Sequence, residues 1–138
     1  MPVRVLQADQ EESITRAAEM VMAGGVVAVP TESFYGLAVN ALNEKAIERL
    51  LAIKKRREDH PFLILIDSAD VLKRYAAQIP PVALPLIEAF WPGGLTMVFE
   101  AKPVLPLLLT GGTGKVGVRL CDEKLQTVNA QRIIRERF

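Results

Sequence analysis

The chain has 138 residues, 50% of them hydrophobic, which suffices for one domain with a sizeable core and excludes intrinsic disorder. Lys and Arg number 17 against 16 Asp and Glu, a net charge of +1, so a nucleic-acid role would need its bases gathered on one face. The one cysteine, Cys121, excludes an internal disulfide framework and suits a reducing compartment; its plain reading is a small core residue near a strand end. The start, Met1-Pro2-Val3-Arg4, lacks the apolar run of a secretory signal, and no stretch approaches the ~20 apolar residues that span a bilayer. The expectation is a cytoplasmic protein with no membrane contact.

In chain order, Asp9 with Glu12 forms a capping box that opens a first helix. Ile14, Ala17, Ala18, Val21 and Met22 then recur at helical spacing until Gly24-Gly25 ends it. Val26 to Val29 reads as a short buried strand. A second helix starts at Asn43 and buries Ala46, Ile47, Leu50 and Leu51, with Lys54 to Arg57 at its end, where cations suit the helix dipole. Phe62 to Ile66 is another buried strand, and Asp67 or Ser68 caps a helix carrying Val71, Leu72, Tyr75 and Ala76. Pro80-Pro81 opens a helical stretch to Phe90, with Pro81 in its first turn and Pro85 delaying its start. Leu95 to Glu100 and Val116 to Leu120 complete the strands, and Thr110 to Lys115 between them reads as a hairpin connection. Strands alternating with helices indicate a single α/β domain, although strand order does not follow from this pattern.

Three segments carry potential chemistry. Pro30-Thr31-Glu32-Ser33-Phe34-Tyr35-Gly36-Leu37 follows an apolar strand and sets hydroxyls at Thr31, Ser33 and Tyr35 two residues apart. Extended backbone presents such a row on one side, where it can hold a small polar ligand; the plainer alternative is a strand-to-loop transition with Tyr35 packed in the core. Lys54-Lys55-Arg56-Arg57 offers a point charge and a guanidinium two residues apart, a pair able to grip phosphates, or simply a solvated helix end. His60 reads as a loop residue with no metal-ligand cluster around it. Phe90-Trp91-Pro92-Gly93-Gly94-Leu95-Thr96 dictates a tight turn between helix and strand, with Trp91 as a core anchor. Thr110-Gly111-Gly112-Thr113-Gly114-Lys115 lacks the spacing of a Walker loop.

Taken together and in order, these segments resemble the YrdC/Sua5 family of threonylcarbamoyl-AMP synthases. Its PT-[ED]-[TS]-x-YGL segment is matched by Pro30 through Leu37, its K-x-R by Lys54 and Arg56, and its following proline by Pro61. Its WPG-x-[LV]-T turn is matched by Trp91 through Thr96, and its V-x-V-R strand by Val116 through Arg119. The resemblance implies an α/β fold, a twisted open mixed sheet with flanking helices and a basic concave cavity. It also implies synthesis of L-threonylcarbamoyladenylate from L-threonine, bicarbonate and ATP, a step of tRNA threonylcarbamoyladenosine formation. Thr31, Ser33 and Tyr35 would then shape the substrate pocket, with Arg119 a further member. Lys54 and Arg56 would be the catalytic cations that neutralise phosphate charge. Mg²⁺ would arrive with ATP rather than sit in a protein-held metal site.

The sequence departs from the family in two places. K-G-R-P reads Lys54-Lys55-Arg56-Arg57, so a glycine and a proline are absent, and His60 stands where lysine is common. The family also continues past V-x-V-R with a helix, a strand and an S-T-S-A-N segment, whereas this chain runs Cys121 to Leu125 and stops at Phe138. Thr127-Val128-Asn129 comes too early to be that segment, and Arg132 to Arg137 resemble the basic stretch that closes many members. The expectation is a domain truncated or internally shortened after about residue 120, with little or no synthase activity as it stands and an exposed sheet edge or apolar face that favours a homodimer. Rival readings are a non-catalytic module that binds tRNA or double-stranded RNA, and a degenerate structural paralogue. The resemblance also implies other proteins of the same tRNA-modification pathway as partners.

Overall fold

The computed structural model describes residues 3–7, 10–30, 35–120 and 133–137. Among them, five α-helices and six strands run in the order α1 (Glu11–Met22), β1 (Val27–Pro30), β2 (Tyr35–Asn40), α2 (Glu44–Lys54), β3 (Leu63–Ile66), α3 (Leu72–Tyr75), α4 (Ala83–Phe90), β4 (Met97–Glu100), α5 (Leu107–Thr110), β5 (Lys115–Leu120) and β6 (Ile133–Arg137). The strands form one mixed sheet in the order β1-β2-β6-β3-β5-β4. Only the β3–β5 pair is parallel; β6 lies antiparallel to both β2 and β3. It follows that β2, β3 and β5 point the same way.

The sheet separates two cores because successive strand residues face opposite sides. Val39, Ile64, Ile66, Val116, Val118 and Phe99 face a large core closed by Ile47, Leu50 and Leu51 of α2, Leu72 and Tyr75 of α3, and Leu109 of α5. Ala38, next to Val39, faces the other side, where it meets Val29 and Val21 under α1. Fully burying side chains such as Ile47 and Leu50 contributes roughly 1.5–3 kcal/mol each. No helix among the described residues is long and apolar enough to cross a membrane.

Helix α2 forms where its local signals place it. The Asn43 side chain accepts a hydrogen bond from the Ala46 N–H at 3.1 Å, and the four expected residues are buried. Helix α1 differs from expectation: its N-cap is Gln10, which makes no side-chain cap, and the proposed capping residue Asp9 lies outside the described residues. Val21 is buried as expected, but Met22 is 41% exposed, because α1 covers only the β1–β2 end of the sheet. Gly24 (φ +92) turns the chain away after α1.

Other differences have local causes. Ser68, not Asp67, caps the turn before α3, its hydroxyl accepting from the Asp70 N–H. Pro81 precedes the helix rather than opening it, and Pro85 sits inside the first turn of α4, where its missing N–H has no helical partner to lose. The stretch at 110–115 does lie in the connection between the antiparallel neighbours β4 and β5, but that connection is longer than the turn itself and carries the one-turn helix α5. The sheet is continuous through six strands because residues 133–137 form β6 in its interior, where a closing basic stretch was expected.

Candidate functional site

After β2 the chain turns through 41–43 and α2 packs back along the strand. The end of α2 therefore lies where β2, β3 and β5 begin. Tyr35, first in β2, is 62% exposed and does not enter the core. Thr31 and Ser33, four and two positions before it in sequence, lie outside the described residues. Lys54 closes α2 half-buried, and Arg56 follows it exposed. The structure thus gathers Tyr35, Lys54 and Arg56 at one end of the sheet.

The loop that carries the two cations is fixed by its backbone. Lys55 adopts a left-handed conformation (φ 53, ψ 41), which lets the Arg56 N–H reach back to the Leu51 carbonyl at 2.9 Å. This is the helix-ending geometry that ordinarily calls for glycine, and here a lysine adopts it. A turn from Arg57 to His60 follows, and the Phe62 N–H then donates to the Leu109 carbonyl at 2.9 Å. Arg57 and Asp59 pair at 3.5 Å, but their side chains are 88% and 65% exposed, so the pair adds little stability. The His60 ring meets Phe62 edge-on at 5.4 Å.

A second cluster forms where the tight turn meets β5. The Trp91 side chain is buried and its indole N–H donates to the Leu95 carbonyl at 2.8 Å, so the core-anchor reading holds. The Trp91–Pro92 bond is cis. The Gly93 N–H donates to the Leu120 carbonyl at 3.2 Å, docking the turn on the end of β5. Thr96 then lies over Gly117, where an added Cβ would come within 3.3 Å of the Thr96 methyl. Arg119, only 5% exposed, donates from Nε (3.1 Å) and Nη2 (2.7 Å) to the Thr96 hydroxyl oxygen. Sequence reasoning quoted Thr96 as part of a motif but assigned it no task. Its partner is 23 residues away on a neighbouring strand, a pairing that no local pattern announces.

The two clusters do not share one spot. Arg119 is in register with Leu65, Ile133 and Asn40, five residues along β2 from Tyr35, or about 16 Å along the strands. Strand alternation also places Tyr35 and Arg119 on opposite faces of the sheet. A further open cavity of about 450 Å³, lined by Leu42, Arg74, Tyr75, Lys102, Pro103 and Val104, contains none of the expected site residues. Among the described residues no three His, Cys, Asp or Glu side chains come together as a metal site.

Comparison with known proteins gives these motifs a common setting. The Sua5/YciO/YrdC family model, described as "Telomere recombination", matches residues 19–133. A threonylcarbamoyl-AMP synthase of Pyrococcus abyssi is 41% identical over 118 residues, which are 86% of this chain and 35% of that protein. The Coxiella burnetii protein of the same name is 32% identical over 90% of this chain and 67% of its own length. The fold is similar to that of P. abyssi Sua5 complexed with L-threonine, with a TM-score of 0.85 and 39% identity across 91% of this chain and 38% of that one. The chain thus spans about a third of the P. abyssi relative and two thirds of the C. burnetii one. With a family match over most of its length, the chain belongs to the Sua5/YciO/YrdC family.

Proposed function

We propose that this protein makes L-threonylcarbamoyladenylate from L-threonine, bicarbonate and ATP, for transfer of the threonylcarbamoyl group to tRNA in the cytoplasm. The observation that carries the reading is the likeness to a Sua5 that binds L-threonine, joined to a cationic loop held at one end of the sheet. In the first step the neutral amine of threonine attacks the bicarbonate carbon. One amine proton leaves with the bicarbonate hydroxyl as water, and a carbamate remains. A carbamate oxygen then attacks the α-phosphorus of ATP, the bond to the β-phosphate oxygen breaks, and pyrophosphate departs.

Charge is the main obstacle in the second step, since an anionic nucleophile approaches a polyanion. Lys54 and Arg56 are assigned to the phosphates, Mg²⁺ entering with ATP. Thr31, Ser33 and Tyr35 are assigned to the threonine and adenylate pocket; Arg119, set by Thr96, lies on the opposite face of the sheet from Tyr35 and is not assigned to that pocket.

The test measures ATP affinity by calorimetry and pyrophosphate release with all three substrates. Release should require threonine and bicarbonate. Lys54→Ala and Arg56→Ala should each weaken ATP binding by ~1.5–3 kcal/mol, against about 1 for Thr31→Ala. Salt-sensitive binding of tRNA or double-stranded RNA without any ATP turnover would overturn the reading in favour of an RNA-binding module.

A further inference from the structure

We infer that Gly111, in the turn after α5, is a positioning residue for the cationic loop, setting where Lys54 and Arg56 present their charge. The inference rests on the phosphate role proposed for those two residues. It starts from a close approach between segments far apart in sequence. Gly111 has φ +62, and a Cβ added there would lie 2.6 Å from the Asp59 carbonyl oxygen and 2.9 Å from the Pro61 nitrogen. Both are backbone atoms, so neither can swing aside as a flexible side chain would.

The contact is reinforced from each side. The Phe62 N–H donates to the Leu109 carbonyl at 2.9 Å, which ties the end of the loop to α5. The Gly112 N–H donates to the Leu107 carbonyl at 3.1 Å, and the Thr113 hydroxyl donates to the Thr110 carbonyl at 2.7 Å, which stiffens the turn that carries Gly111. At its other end the loop is held by the Arg56 N–H on the Leu51 carbonyl. The segment from Lys54 to Phe62 is therefore clamped between the end of α2 and the end of α5. A side chain at 111 displaces the loop at Asp59 and Pro61, just ahead of its tie at Phe62.

The neighbouring glycine supplies the control. Gly112 also has positive φ (+76), yet a Cβ there meets nothing within 4 Å. Gly111→Ala and Gly112→Ala thus both carry left-handed strain, but only the first strikes the loop.

The experiment uses the full 138-residue chain and compares these two variants with Lys54→Ala. Thermal unfolding establishes that each is folded, amide exchange reports on Phe62, and calorimetry reports ATP affinity. Gly111→Ala should speed Phe62 exchange and weaken ATP about tenfold, the lower end of what losing one charge-assisted contact costs. Gly112→Ala should lower the unfolding temperature while leaving both readouts unchanged. If Gly111→Ala fails to fold, Pro61→Gly loosens the same loop from its exposed side and should weaken ATP likewise; unchanged affinity there overturns the inference. Equal behaviour of the two glycine variants also overturns it. If exchange rises while ATP affinity holds, and Lys54→Ala still lowers affinity, the positioning claim fails although the phosphate reading survives. If Lys54→Ala too leaves ATP affinity unchanged, the phosphate reading fails and takes this inference with it.

Discussion

Arg119 shows how much one hydroxyl can be asked to do. A guanidinium with 5% exposure has little water to satisfy it, so its donors need protein acceptors, and the Thr96 oxygen takes two of them. Thr96→Val keeps the shape and removes that acceptor. The expected cost is about 1.5–3 kcal/mol, since a hydrogen bond from a charged donor is worth more than an ordinary one. Thr96→Ser keeps the oxygen and should recover most of the loss, both measured by urea unfolding. Both residues fall inside motifs quoted from the sequence, but their contact was not legible there, because it depends on β4 and β5 lying side by side. The exposure of Tyr35 was equally hidden. An aromatic beside a glycine reads as core or as ligand pocket until the end of its strand is placed.

Elements were legible in proportion to how local their causes are. Helix α2 has an asparagine cap, an apolar stripe and a basic end, all within its own twelve residues from Asn43 to Lys54, and it forms there. Strand β2 is not set apart by its sequence, because Pro30 to Leu37 reads as a polar motif or a strand-to-loop transition, whereas pairing with β1 and β6 draws Tyr35 and Gly36 into the ladder. Helix α5 is one turn long, and its run of leucines carries no period to detect. The two longest helices test the role of caps directly. Asn43→Ala removes a cap bond at 3.1 Å and should cost about 1 kcal/mol. Gln10→Ala removes no cap bond and should change stability by less than about 0.5 kcal/mol. Chemical denaturation of the two variants side by side separates them, and equal losses would contradict the cap assignment.

At the scale of the whole molecule, the sheet order is the feature least available from sequence. The chain builds β1 and β2 first and β3, β4 and β5 later, then returns with β6 between the two groups. That return is a pairing of residues 133–137 with residues 36–40 and 63–65, separations far beyond any periodic pattern. Its consequence is mechanical. Val39 and Ile64, which share the main core, sit on strands that β6 joins, each in register with Ile134. Removing residues 133–138 would leave β2 and β3 with two new unpaired edges in the middle of the sheet, at a cost in unmet backbone hydrogen bonds on both sides. Folded domains of this size have only about 5–15 kcal/mol of stability, so the loss of a central strand should abolish cooperative unfolding altogether. Ile134→Pro is the milder version: it removes one backbone donor from a strand paired on both sides and should lower stability by roughly 3 kcal/mol or more. Circular dichroism melts report both. A deletion variant that still melts in one sharp transition near the parent temperature would mean that β6 is not what joins the two halves of the sheet.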